Sequence, residues 1–336
     1  MIIDTFDTDK QVFIVAEVGN NHEGDFDVAK RLVHKAAECN VDAVKFQTFR
    51  TEHFVSRSNA ARFKQLKSFE LEFSQFEQLS RLAHALGLLF ISTPLDLTSA
   101  SFLKDIVDCY KVASGDNNFF PLIRQIALTG KPMIISTGLS DYGQVAQVVE
   151  FVKQQWTEND ITGQLAILHC VSSYPAPPDQ ANLRSTQFLA EKLDCVVGYS
   201  DHTIGIEASL LAIALGARII EKHFTLDKAY SDFRDHQLSA DPPEMKELVR
   251  QIRQAELMLG ERHKIVQPCE EAIVGALRRS IVAGKDMAQG HCITESDLTW
   301  LRSAGGLAPG EEHRLVGKVL KRSVCFGEQL LASDVE

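Results

Sequence analysis

Two short stretches beyond the middle of the chain place imidazoles where they could hold a metal. They are Gly198-Tyr199-Ser200-Asp201-His202-Thr203 and Glu221-Lys222-His223-Phe224-Thr225. Each ends an apolar run of strand length, and a helix-like segment separates them. In a barrel of alternating strands and helices these runs are neighbouring strands, the seventh and eighth. His202 and His223 then project side by side at the C-terminal rim, where such barrels keep their chemistry. Two imidazoles converging on one point suggest a divalent metal. Strand parity gathers further polar groups at the same rim. Glu17 shares parity with Phe13 and Val15, Lys45 with Gln47, Ser200 with His202, and Glu221 with His223. Lys111, Ser114 and Asp116 crowd the end of the fourth strand, where a bend must bring both parities inward. Ser136 and Thr137 close the fifth strand, and Ser172 and Tyr174 follow the sixth. Two ammonium groups flanked by serines, at strand ends and helix starts, make an anion site for phosphate or carboxylate. His169 has the opposite parity to Ser172 and is read as structural. Asn21-His22, after the first strand, is either loop structure or site lining.

The elements that must position these groups alternate regularly. Strands are predicted at 12–18, 41–49, 88–94, 109–115, 131–138, 165–173, 195–202 and 218–224. Amphipathic helices are predicted near 27–39, 74–87, 96–105, 119–129, 141–155, 183–193, 206–216 and 242–259. Gly87, Gly130, Gly216 and Gly260 punctuate helix ends. Eight strand–helix units point to an α/β fold of the (β/α)8 TIM-barrel class over residues 1–262. The competing doubly wound sheet would want a glycine-rich loop after its first strand, and none is there. Residues 263–279 read as a charged linker interrupted by Pro268. Residues 280–336 read as a small β-rich module with a weak internal repeat, Gly290–Leu298 echoed by Gly327–Val335. A module of that size is marginal alone and is expected to rest on the barrel or on a partner subunit.

Composition narrows the function class. The 336 residues are 45% hydrophobic and 24% charged, which is ordinary for a globular protein. No apolar run approaches the ~20 residues of a membrane span, and the N-terminus lacks a signal-peptide core. The seven cysteines are scattered with no CxxC pair, so a reducing cytoplasm is expected. The net charge is −10, and no basic cluster is large enough to track a nucleic-acid backbone. An anionic ligand must therefore be held by specific lysines within a site, because the overall field repels it.

These residues together resemble the sialic acid synthase family, the N-acetylneuraminate or nonulosonate synthases. The markers run essentially end to end. They are Ala16-Glu17-Val18-Gly19-Asn20-Asn21-His22-Glu23-Gly24, Val44-Lys45-Phe46-Gln47-Thr48, Ile91-Ser92-Thr93-Pro94, Tyr110-Lys111-Val112-Ala113-Ser114-Gly115 and Ser136-Thr137-Gly138. Tyr174-Pro175, Ser200-Asp201-His202-Thr203 and Glu221-Lys222-His223-Phe224-Thr225 follow, and the C-terminal module is similar to the family's antifreeze-like (SAF) domain.

The resemblance implies condensation of phosphoenolpyruvate with the open-chain aldehyde of an N-acetylated amino sugar, N-acetylmannosamine or a diacetamido-trideoxyhexose. The products would be a nine-carbon 2-keto acid and phosphate. It implies Mn2+ or Mg2+ on His202 and His223, and Glu17, Asp116 and Glu221 as catalytic carboxylates. Phosphoenolpyruvate would be held by Lys45, Thr93, Lys111, Ser114, Ser136, Ser172 and Ser200. The sugar would meet Gln47, Tyr174, Asp235 and Arg302. The last residue would be offered from the C-terminal domain of the other subunit in an exchanged homodimer. The sequence departs from the family at Asp116, where a glutamate is usual, and at Ser172, where an asparagine is frequent. It also departs at Ser231–His236 and in the loop Arg302–Gly306, which lacks the usual proline. Thr51–Phe73 is short for a sugar-covering loop. Two alternatives are a synthase acting on a phosphorylated aldose (octulosonate or heptulosonate type) and a non-catalytic binding or antifreeze-like protein.

Overall fold

Short apolar runs whose alternate residues face one another decide the architecture. In the computed structural model, which describes residues 1–303 and 305–336, eight strands form the first unit's sheet. They are β1 (Phe13–Gly19), β2 (Ala43–Thr48), β3 (Leu89–Pro94), β4 (Cys109–Val112), β5 (Met133–Ser136), β6 (Leu165–Cys170), β7 (Val196–Asp201) and β8 (Ile219–His223). Each pairs in parallel with the next. β8 closes the barrel on β1, with Ile219 opposite Phe13 and His223 opposite Glu17. All eight lie within the predicted spans to within a residue or two, except that β4, β5 and β6 stop earlier. β4 ends at Val112 because the chain turns at once into a 3-10 helix, Ser114–Asp116. That turn is the bend the sequence required.

The barrel interior is apolar at its N-terminal end. Phe13, Val15, Ala43, Ile91, Cys109, Ile134, Ala166, Leu168 and Ile219 fill it. A short hairpin, Ile2–Ile3 paired with Phe6–Asp7, was not foreseen in the sequence, and its Ile3 plugs this end. Residues of opposite parity, such as Ile14, Val44, Phe46, Phe90 and Tyr110, pack outward against the helices. Gly198 faces the interior where an added Cβ would lie 2.4 Å from the Ile219 carbonyl oxygen and 2.6 Å from Leu168 Cδ2. Only glycine lets β7 approach its neighbours so closely.

The crossover helices start where side chains can cap them. Asp25 accepts from the backbone N–H groups of Asp27 and Val28 ahead of Phe26–Glu38. Asp141 and Gln144 form a capping box on Tyr142–Glu158. Two helices, Thr51–Phe54 and Ala60–Phe69, occupy the stretch read as a short loop. Glu70 holds them together, accepting from the Thr51 backbone N–H at 2.9 Å and from the Arg50 guanidinium at 3.0 Å.

Contact density divides the chain into Met1–Gly260 and Glu261–Glu336. The stretch read as a linker contains a helix, Pro268–Leu277. Pro268 does not interrupt it. Pro268 opens it, at a position where a missing N–H costs no hydrogen bond, and Gln267 and Glu270 form the capping box. The second unit pairs β9 (Arg279–Ala283) with β10 (Leu298–Arg302) in antiparallel fashion. Ile281, Ile293, Leu315, Leu320 and Leu330 form its own core. Its repeat is visible in the backbone. Gly290 and Gly327 both take positive φ, and each is followed by a 3-10 turn closed by an aspartate, Asp297 or Asp334. Among the described residues no helix is long and apolar enough to cross a membrane.

Candidate active site

Two residues beyond the last apolar layer, the inward positions turn polar on every strand but β6, where Cys170 stands. Val15 is followed by Glu17, Ala43 by Lys45, Ile91 by Thr93, Cys109 by Lys111, Ile134 by Ser136, and Ile219 by Glu221 and His223. These side chains line one cavity at the C-terminal rim, with Gln47, Ala113, Ser114, Cys170, Tyr174, Ser200 and His202. The walls are rigid strands, which hold such groups more precisely than loops.

Charges in the cavity alternate. Lys45 Nζ lies 2.8 Å from Glu17 Oε2 and 3.6 Å from Glu221 Oε1, and it donates to Thr93 Oγ1 at 3.3 Å. Lys111 Nζ lies 3.9 Å from Glu221 Oε2 and donates to Ser136 Oγ at 2.6 Å. Ser200 donates to Glu221 at 3.0 Å. Gln47 donates to Glu17 at 3.1 Å and accepts from Asn20 at 2.9 Å. The four charged groups are all buried, so each must be compensated within the cluster. Their environments push the two carboxylates apart. Burial alone would raise Glu221, but Lys111 and Lys45 outweigh it and hold it at about 2. Glu17 is raised by burial and by its neighbour Glu221, with Lys45 opposing. One carboxylate thus stays ionised while the other is poised to exchange a proton. Lys45 keeps its charge firmly, because Glu17 and Glu221 outweigh the cost of burial, whereas burial eases proton loss from Lys111.

The two histidines meet as the strand order required, their ring centroids 5.4 Å apart. His202 Nδ1 is 2.7 Å from the Val171 carbonyl oxygen, so that nitrogen carries the proton and Nε2 keeps its lone pair. His223 Nδ1 is buried with no hydrogen-bond partner among the described residues. Burial holds His223 down at about 3, so it is a neutral nitrogen donor at ordinary pH. Burial also lowers His202, but Cys170 and the Val171 carbonyl outweigh it and raise that ring. Nε2 of His202 and the unpartnered Nδ1 of His223 are the nitrogens that would hold a divalent cation. Among the described residues no group of three or more His, Cys, Asp or Glu could hold a metal. Tyr174 stacks 4.1 Å from the His202 ring, and the Arg234 guanidinium sits 4.8 Å over the Tyr174 ring.

Four residues expected at the site do not line this cavity. Asp116 lies at the end of the 3-10 turn, half-buried at the rim. Ser172 lines an adjoining groove with Thr137, Tyr142, His169 and Phe188. It still comes close to Ser114, because a Cβ on Gly138 would fall 2.2 Å from Ser172 Oγ and 2.7 Å from Ser114 Oγ. Asp235 opens the short helix Asp235–Leu238, buried and near enough for its charge to act on His223. Arg302 ends β10 in the second unit with its side chain exposed. Its neighbour Ala304 lies outside the described residues.

Cys170 also faces the cavity, although the sequence pattern singles out no role for it. Its Sγ lies 3.7 Å from His202 Nδ1, and its inward parity with Ala166 and Leu168 was the available signal. His169 bonds the Ala181 carbonyl at 2.8 Å and is structural. His22 is also loop structure, buried and accepting from the Gly24 N–H at 3.0 Å.

Asp116 yields a pH test. Burial pushes its carboxyl up to about 6, against the pull of Lys111. A carboxyl raised on folding disfavours the folded state above that pKa. The penalty fades as pH falls through 6 toward the ordinary 3.8. Asp116→Asn should therefore raise the melting temperature at pH 7.5 and bring a smaller gain at pH 4.5. A gain that is equal at both pH values would show that the carboxyl is not perturbed.

The chain is similar to known proteins along nearly its whole length. The NeuB family profile matches residues 32–264, and the SAF domain profile matches residues 278–336. The chain is 39% identical to the N,N'-diacetyllegionaminic acid synthase of Legionella pneumophila over 96% of this chain and 94% of that one. It is 37% identical to the human N-acetylneuraminate-9-phosphate synthase, over 91% and 88% respectively. The crystal structure of the N-acetylneuraminic acid synthetase from Leptospira borgpetersenii superposes with a TM-score of 0.76 at 33% identity, covering 82% of this chain and 94% of that one. A NeuB profile over more than half of the chain, a SAF profile over its C-terminal part and relatives well above 30% identity along nearly its full length make this chain a member of the NeuB family with a C-terminal SAF domain.

Proposed function

We propose that the chain is a nonulosonic acid synthase. It joins phosphoenolpyruvate, the open-chain aldehyde of an N-acetylated amino sugar, and water to give a nine-carbon 2-keto acid and inorganic phosphate. One observation carries the reading. Two buried lysines with serine and threonine hydroxyls form an anion pocket beside two free imidazole nitrogens.

Lys45, Lys111, Ser114, Ser136 and Ser200 hold the phosphate and carboxylate through charge-assisted bonds, with Thr93 supporting Lys45 and Ser172 closing the rim. The Lys111–Glu221 contact is long, which leaves the Lys111 ammonium able to turn to an incoming anion, while Lys45 stays paired with Glu17 at 2.8 Å and offers its remaining N–H bonds. C3 of phosphoenolpyruvate forms its bond to the aldehyde carbon as the C=O π pair moves to the aldehyde oxygen, and positive charge develops at C2. Glu221, held ionised, faces that charge. Water adds at C2 and gives its proton to Glu17, whose raised pKa suits a base. Collapse of the resulting tetrahedral carbon forms the keto group and breaks the C–O bond; its hydroxyl proton leaves with the phosphate, and the proton taken by Glu17 balances the new sugar alkoxide. The resemblance implies Asp116 as a further catalytic carboxylate. Its place at the rim favours Glu17, and leaves Asp116 to act on groups entering the site. His202 and His223 would hold Mn2+ or Mg2+, which supplies Lewis-acid polarisation of the aldehyde oxygen. Gln47, Tyr174 and Asp235 are assigned to the sugar.

Phosphate release assayed with phosphoenolpyruvate, Mn2+ or Mg2+ and a panel of aldoses tests the reading. N-acetylmannosamine or a diacetamido-trideoxyhexose should support release. Release with phosphorylated unacetylated aldoses alone would assign the octulosonate or heptulosonate type of reaction instead.

We further propose an exchanged homodimer in which Arg302 of one chain completes the sugar site of the other. Mixed His202→Ala and Arg302→Ala chains, each inactive, should regain activity on re-pairing, because one composite site carries both native residues. Re-paired heterodimers no more active than either parent would refute the exchange.

A further inference from the structure

Behind the two histidines, on the face of the barrel away from the cavity, lies an ion pair with no exposed side-chain surface. Lys222 Nζ is 3.2 Å from Asp201 Oδ2. Asp201 and Lys222 are direct partners in the β7–β8 register, and each immediately precedes one of the histidines. The connections are specific. Lys222 Nζ donates to the Thr203 carbonyl at 2.6 Å. Asp201 Oδ1 accepts from the Thr203 backbone N–H at 2.8 Å and from Thr203 Oγ1 at 2.7 Å. Its Oδ2 accepts from Ser209, on the following helix, at 2.8 Å. One ammonium group next to His223 thus ties down both residues that flank His202.

We propose that Asp201 and Lys222 are positioning residues that set the spacing and orientation of the His202 and His223 rings for a divalent cation. The inference rests on the metal reading of those histidines. Neither residue lines the cavity, so neither touches substrate. A buried ion pair is also a poor way to gain stability, since apolar replacements of similar volume are often as stable or more so. What the pair does supply is direction. The chain leaves the sheet at His202, where β7 has ended and ladder bonds no longer hold it. Among the described residues the His202 carbonyl accepts only from the Ala176 N–H of another loop, at 2.9 Å, and the Asp201 carboxylate and Lys222 ammonium fix the chain on either side of it, at Asp201 and Thr203. Groups that orient metal ligands from behind typically change metal affinity by roughly 10- to 100-fold when removed.

The test uses Asp201→Asn/Lys222→Met, which removes both charges together and leaves no unpaired ion. Free Mn2+ is followed by electron paramagnetic resonance during titration of wild type, the double variant and His202→Ala. Melting is recorded in chelator, and the Michaelis constant for phosphoenolpyruvate is measured at saturating Mn2+. We expect a metal-free melting temperature close to wild type and a Mn2+ dissociation constant raised about 10- to 100-fold. The Michaelis constant should stay within about threefold, because Lys45 and Lys111 stand on other strands. Mn2+ affinity within about threefold of wild type overturns the inference. So does a double variant that does not fold, because the pair would then serve the fold itself. Wild type that binds no Mn2+, or His202→Ala that binds it equally well, overturns the metal reading, a result distinct from either.

Discussion

Lys111→Met should raise the Michaelis constant for phosphoenolpyruvate by roughly a hundredfold and change that for the sugar far less. The size follows from the loss of a buried, charge-assisted contact to an anion, worth ~2–3 kcal/mol. The substitution keeps most of the aliphatic stem, so the strand packing around it is retained. It acts on the carboxylates as well. Glu221 is held at about 2 by two ammonium groups, of which Lys111 pulls harder. With only Lys45 left its pKa must rise, and a bell-shaped rate profile should gain a shifted acidic limb. Steady-state kinetics against each substrate, with circular dichroism as the fold control, measures this. Unchanged use of phosphoenolpyruvate would remove Lys111 from the anion site.

His202→Ala should lower metal-dependent turnover by roughly a thousandfold, since Lewis-acid stabilisation of developing charge is worth several kcal/mol. His223→Ala should do the same. Neither change opens the apolar core, because both rings belong to the polar layer above it. The melting temperature in chelator should therefore stay close to that of the wild type. Turnover is measured with Mn2+ across a concentration series, and metal binding directly by calorimetry. Full activity of either variant in the presence of chelator would exclude these histidines as ligands.

The barrel was legible because its signals are local and repeated. An inward apolar residue followed by an inward polar one marks the C-terminal end of β1, β2, β3, β4, β5 and β8 alike. The elements that escaped notice are those whose stability is not local. The helices Thr51–Phe54 and Ala60–Phe69 are short and weakly amphipathic, and they hold together through Glu70 contacts between residues far apart in sequence. Helix Pro268–Leu277 was hidden by reading its first-turn proline as a breaker. Cys170 was hidden by its chemistry, because a thiol on an apolar strand looks like core until the strand's facing is known.

By itself the sequence determined the fold class, the strand order that brings His202 beside His223, and the inventory of charges at the rim. Periodicity and spacing suffice for these, since a parallel barrel has few ways to close. The tertiary structure decided which carboxylate meets which ammonium. Glu17, Glu221 and Asp116 are equal on paper. Glu221 stays ionised because it lies between Lys45 and Lys111, while Glu17 is raised by burial. Asp116 is carried to the rim because β4 ends at Val112 in a 3-10 turn. A pKa depends on distances and desolvation, and those exist only once the chain is folded.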